Sequence, residues 1–195
     1  MRRTEHYTFF FSKADAFSNW HPSRFEYREI TFVCMEQFMM YAKARLFKDD
    51  EVAQRILGTS DPAEHKKLGR EVRNYVDAEW DAKRDAIVSV GLREKFAQNP
   101  RLLKELLSTD GTALVEASPY DRLWGIGLGM DDPRALDPTQ WKGQNRLGVL
   151  LDKVRAHFLR LEAGPVAAAP EALPVADSVP RKRVPGAAFQ PRHSR

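Results

Sequence analysis

The stretch FEYREITFVCMEQFMMYAKARLF, residues 25–47, changes its pattern halfway. Phe25-Glu26-Tyr27 and Ile30-Thr31-Phe32-Val33 carry aromatic and β-branched side chains that suit a pleated, half-buried surface, so two short strands are expected. From Met35 to Phe47 the residues are helix formers. Working outward, Tyr7-Thr8-Phe9-Phe10-Phe11 reads as another strand, and a small sheet near the N-terminus follows. Downstream the signals are helical. Gly58 stops a short helix beginning near Asp49. Asp61-Pro62-Ala63-Glu64 gives a capping Asp, Pro at the first helical position and Glu at the third, the start of a third helix. A long helix is expected over residues 77–97, and Asn99-Pro100 opens another with Leu102, Leu103, Leu106 and Leu107 in the core. Thr112 to Glu116 reads as a strand. The last helix runs from about Asn145 to Leu161, with Leu147, Leu150, Leu151, Val154 and Phe158 as its apolar stripe. Between them Ser118 to Trp141 shows neither period, and loops of that length are usually functional or disordered.

The chain has 195 residues, 43% hydrophobic and 30% charged, which fits one globular domain with a sizeable core and excludes fibrous, collagenous and wholly disordered classes. No apolar run approaches the roughly 20 residues that cross a bilayer. The opening Met-Arg-Arg-Thr-Glu-His lacks the apolar stretch of a secretory signal, so the cytoplasm is expected and no membrane. A single cysteine, Cys34, and five scattered histidines offer no zinc spacing, so no metal and no cofactor are expected. The net charge of +4 is concentrated late: residues 165–195 hold Arg181, Lys182, Arg183, Arg192 and Arg195 against Glu171 and Asp177, leaving +1 for residues 1–164. Half of the 12 prolines lie there too. That stretch is too poor in large apolar residues to offset its ordering entropy, so the expected organisation is a folded domain over 1–164 and a disordered Pro/Ala-rich basic tail over 165–195.

Three segments could carry chemistry. In Met35 to Lys43, seven residues at about 100° each bring Lys43 to within roughly 20° of Glu36, about 10 Å along the same face. A carboxylate and an amine thus share an apolar face. The same spacing also describes a core face whose two charged heads reach water at its edges. In Asp121 to Gly129, alternate glycines at Gly125, Gly127 and Gly129 would let backbone N–H groups approach a ligand while Trp124 stacks on it, or they form a tight turn around a buried tryptophan. The spacing is not a dinucleotide fingerprint, because no helix start follows. In Trp141 to Gly148, the helix N-terminus with Lys142 and Arg146 is a natural phosphate site. Asn19-Trp20 reads first as a turn with an aromatic plug.

In this order, Phe10 with Ser18-Asn19-Trp20, Glu36-Gln37-Phe38 with Lys43, Trp80, Asp121 with Trp124-Gly125-Ile126-Gly127, and Gly143-Gln144-Asn145-Arg146-Leu147-Gly148 resemble the NADAR, or YbiA-like, family over about residues 7–161. The resemblance implies a compact, mainly helical α+β domain with a small sheet. It also implies an N-glycosidase, a hydrolase acting on a bond between ribose C1 and an exocyclic amine. Family members act on ribosylamino-pyrimidine phosphates of riboflavin biosynthesis or on ADP-ribosylated guanine in nucleic acid. Expected partners are therefore a ribose-phosphate or ADP-ribose-bearing substrate, ADP-ribosylated DNA or RNA included. By resemblance Glu36, Lys43 and Asp121 are catalytic, and Asn19, Trp20, Trp80, Trp124, Gly125, Gly127, Lys142, Asn145 and Arg146 bind substrate, Asn145 and Arg146 near the sugar phosphate. Gln37 stands where riboflavin-type members often have His and Ile126 where they have Asp, and the loop is lengthened around Asp131 to Trp141, all of which bear on substrate choice.

The competing reading is a module that binds ADP-ribose or NAD without cleaving it. It would keep Trp124 and the glycines but has no need of Glu36 together with Lys43. A nucleic-acid binder working through its charge is disfavoured by the nearly neutral folded part.

Overall fold

A computed structural model describes residues 1–164, so the expected tail over 165–195 lies outside the described residues. Among them the order is β1 (Arg2–Arg3), β2 (Tyr7–Phe10), β3 (Phe25–Tyr27), β4 (Ile30–Phe32), α1 (Met35–Leu46), α2 (Asp50–Leu57), α3 (Pro62–Arg70), α4 (Asp77–Ala97), α5 (Pro100–Leu107), β5 (Ala113–Glu116) and α6 (Arg146–Glu162). This is an α+β fold, mainly helical. The 118–141 loop holds two short 3₁₀ turns, Pro133–Leu136 and Pro138–Gln140. No described helix is long and apolar enough to cross a membrane.

The expected single sheet is two. β3 and β4 pair only with each other, joined by Arg28 and Glu29, whose φ of 50° and 64° supply the left-handed turn that a two-residue hairpin needs. β2 lies between β1 and β5, antiparallel to the first and parallel to the second, with Tyr7 opposite Ala113 and Phe10 opposite Glu116. That pairing sets the end of β5 beside the N-terminal strand. Helix starts follow the sequence signals: Asp61 accepts the Ala63 N–H at 3.0 Å with Pro62 at the first position, and Asp49 accepts from Val52 at 3.3 Å. In α5 only Leu106 is fully buried, while Leu102, Leu103 and Leu107 are partly covered, because one side of that short helix faces out.

α1 is the central element, packed against α2, α3 and α4. Its Phe38 ring lies 5.1 Å from Phe32 and 5.7 Å from Phe25, centre to centre, and Met35 and Ala44 are fully buried. Phe38 and Met35 each contribute about 1.5–3 kcal/mol by leaving water. α3 comes close enough that a Cβ on Gly69 would sit 2.0 Å from the Met40 sulfur, so any larger residue there would push the Met40 side chain aside. At the N-terminal end, the fully buried Lys95 donates to the Ala16 and Ser18 carbonyls at 2.7 and 3.2 Å and pins the following turn, whose Asn19 carbonyl accepts the Glu36 N–H at 2.9 Å. Burial pushes the Lys95 amine down to about 7.

Candidate active site

The face of α1 left open by this packing forms one wall of a cleft of about 210 Å³, lined by Glu36, Met39, Met40 and Lys43 of α1, Lys66, Gly69 and Arg70 of α3, and Asp121, Leu123 and Trp124 of the loop after β5. The structure thus brings Glu36, Lys43, Asp121 and Trp124 together, two separate sequence segments on one cavity. A larger apolar groove of about 640 Å³ lies on the other side of α1, lined by Tyr27, Ile30, Phe38, Tyr41 and Ile87 among others. It has cations at its rim but no carboxylate in its lining, so of the two only the smaller cleft brings carboxyls and an amine together.

Lys43 is half-buried, its Nζ donating to the Gly69 carbonyl at 2.8 Å and lying 4.2 Å from the Tyr75 ring centre and 5.9 Å from that of Trp80. Burial lowers its pKa, and Asp77 partly opposes that. The Gly69 bond leaves the lone pair of the neutral amine free. Trp80, 6% exposed, therefore flanks the lysine from the core side. Glu36 is 4% exposed, and desolvation pushes its carboxyl up to about 7, the nearby Asp121 charge adding to the effect. Lys66, Arg70 and the Trp20 indole N–H favour its charged form. Trp20 thus meets the site through Glu36. Asn19 does so through its backbone, its side-chain Oδ1 being buried without a hydrogen-bond partner.

A second carboxyl escaped the sequence reading. Glu116 ends β5 with its Oε2 buried and unpartnered, and desolvation followed by the Asp121 and Glu36 charges pushes it up to about 8. Sequence offered only a charged residue at a strand end, a position usually solvated. Asp121 has a structural duty as well, its Oδ1 accepting the Leu123 and Trp124 N–H groups at 2.8 Å each, which fixes Trp124 on the cleft wall.

The basic helix start is not part of the cleft. The N–H groups of Lys142, Gln144, Asn145, Arg146 and Leu147 donate to the carbonyls of Ile126, Arg122, Gly125, Leu123 and Trp124 at 2.9, 2.9, 3.1, 3.3 and 3.1 Å. Donors expected to hold phosphate are spent on the loop. Gly143 permits this approach, since a Cβ there would lie 2.3 Å from the Gly125 oxygen. Asn145, in the left-handed region at φ 50°, is buried and accepts the Glu116 N–H at 3.0 Å while donating to the Leu114 carbonyl at 2.9 Å. Arg146 pairs with Asp85 at 2.8 Å in a separate small pocket, and Lys142 is exposed. Gly127, at φ 68°, gives its N–H to the Asp121 carbonyl at 3.1 Å. Gly125, Gly127, Lys142, Asn145 and Arg146 are therefore placed as a clasp around the loop and not as walls of the cavity. Two other residues do line it: Lys66 and Arg70, which in sequence look like the solvated face of a helix.

A half-buried amine beside buried carboxyls under a tryptophan is an arrangement that can support proton transfer and nucleophilic attack on a small polar ligand. The NADAR domain model matches residues 8–159, and the chain belongs to that family. N-glycosidase R617 of Acanthamoeba polyphaga mimivirus is 42% identical over 146 residues, 71% of this chain and 85% of that one. Protein irg-1 of Caenorhabditis elegans is 37% identical over 169 residues, 78% of this chain and 80% of that one. The solution structure of Escherichia coli YbiA matches with a TM-score of 0.68 at 25% identity, covering 84% of this chain and 90% of YbiA.

Proposed function

We propose that this protein is an N-glycosidase that hydrolyses the bond between ribose C1 and an exocyclic amine, on ADP-ribosylated guanine or on ribosylamino-pyrimidine phosphates. The observation that carries the reading is the meeting of Glu36 and Lys43 in one cleft with Asp121 and Trp124. The N-glycosidase name of the mimivirus relative supports it.

Such a linkage opens when the nitrogen lone pair forms a C1=N bond and the ring oxygen leaves, taking a proton. Glu36, held near 7, has that proton available at neutral pH. The neutral Lys43 amine adds to C1, its surplus proton passes to the departing nitrogen, and the free base amine leaves with a C1=N bond now joining sugar and lysine. Water adds to C1, Lys43 is released, and the sugar closes again. The sum is substrate plus water giving free amine and free sugar.

Incubation of the purified protein with ADP-ribosylated guanine DNA and with a ribosylamino-pyrimidine phosphate, in parallel, tests the reading. Release of ADP-ribose or of ribose 5-phosphate in either arm is expected. Tight binding of both with cleavage of neither would return the protein to the class of non-catalytic ADP-ribose binders.

A further inference from the structure

We propose that Lys66 and Arg70 on α3 form the phosphate-binding wall of the cleft, gripping the phosphate of the ribose-bearing ligand. The proposal rests on the glycosidase reading for the identity of the ligand, and on the following geometry for the site. The two residues are four apart, so they lie on one face of α3, and both line the cavity that holds Glu36 and Lys43. Among the described residues neither makes an ion pair or a side-chain hydrogen bond, although their neighbours do: Lys67 pairs with Glu64, and Arg73 with Asp49. The charge of Lys66 reaches both Glu36 and Glu116, and that of Arg70 reaches Glu36, which places two unspent cations beside the reacting groups.

The competing anion site is filled, because the start of α6 donates its N–H groups to the loop carbonyls. The turn of α3 that carries Lys66 and Arg70 also supplies the Gly69 carbonyl that holds Lys43, so a phosphate gripped there is fixed relative to the amine by a single rigid element. A guanidinium fork and an ammonium suit phosphate oxygens through charge-assisted hydrogen bonds. A monoester on ribose and the diphosphate of ADP-ribose share that chemistry.

Calorimetric titration of the full chain with ribose, ribose 5-phosphate and ADP-ribose tests the proposal. Wild type is expected to bind ribose 5-phosphate well above ribose. Lys66→Met and Arg70→Met are each expected to weaken ribose 5-phosphate by about tenfold or more, with ribose binding unchanged and Lys66→Arg restoring part of the loss. An equal loss for ADP-ribose assigns its diphosphate to the same wall, and a loss confined to ribose 5-phosphate restricts the wall to a monoester. Both residues reach solvent, so melting curves of the variants should overlay wild type. Undiminished ribose 5-phosphate binding in both variants overturns the proposal, most directly if Arg146→Ala weakens it instead, and leaves the glycosidase reading intact. Phosphate binding that depends on Lys66 and Arg70 in a protein that cleaves neither N-glycoside supports the wall and rejects the glycosidase.

Discussion

Lys43 and Gly69 meet across the α1–α3 interface, Nζ to carbonyl oxygen at 2.8 Å, so the cleft amine is oriented by a helix other than its own. The close approach of the two helices at Gly69 makes that possible. A lysine held this way keeps one N–H occupied while its Nζ faces the Tyr75 and Trp80 rings.

Lys43→Ala and Glu36→Gln are each expected to lose on the order of 10²-fold or more in kcat. Lys43→Arg should fail equally, because a guanidinium stays charged and cannot attack C1. Borohydride added with substrate should leave a sugar adduct on Lys43, found by mass spectrometry of the digested protein. Appreciable activity in Lys43→Ala without an adduct would instead favour direct attack by water, with Glu36 or Asp121 as the base.

The pH profile follows from the same pair. The active state carries one proton between Glu36 and Lys43. As pH falls through about 7 the pair takes up a second proton, and a pair holding two protons has no neutral amine. Steady-state kcat/KM should therefore fall below about 7, and the residual activity of Glu36→Gln should lack that limb.

Local spacing from Met35 onward showed in the sequence that Glu36 and Lys43 share a helical face, while the grouping of both with Asp121 and Trp124 came from the family resemblance. Asp61-Pro62 likewise announced α3. What could not be read was non-local. The pairing of β2 with β5 joins segments more than 100 residues apart in sequence, and nothing in either strand names its partner. The start of α6 reads in sequence as a set of free N–H groups, whereas carbonyls of a loop without periodicity consume them. Lys66 and Arg70 look like ordinary solvated charges until α3 is docked.

Glu116 makes a stability prediction. Its folded pKa, about 8, is raised above the ordinary carboxyl value of 4.5, so between those values the native chain binds more protons than the unfolded chain. Its contribution is present below 4.5 and is lost as pH rises through about 8. Glu116→Gln should remove that decline, so its Tm relative to wild type should improve from pH 5 to pH 8.5 in thermal melts.

The clasp makes another. Asn145→Ala leaves the Glu116 N–H and the Leu114 carbonyl unpaired, at about 1–3 kcal/mol for each buried group, and should lower Tm by roughly 5–10 °C. Arg146→Ala removes a partly exposed ion pair with Asp85, worth about 0–1 kcal/mol, and an exposed bond to Gln144 that water can replace. Melting of the two variants side by side checks the contrast, which would be reversed if Arg146 were the residue that secured the loop.

The parallel register of Tyr7 with Ala113 has a consequence for the order of assembly. Closing so long a span costs entropy before any contact offsets it, which places such a step late in folding. Asn145 ties the α6 start to β5, and Asp121 and Trp124 sit in the loop between them, so a chain still emerging from the ribosome has α1 and its lysine but no opposite wall. Catalytic competence should arrive all at once, after residue 147 is free to fold, and a truncated nascent chain should carry the reactive amine without the cavity that directs it.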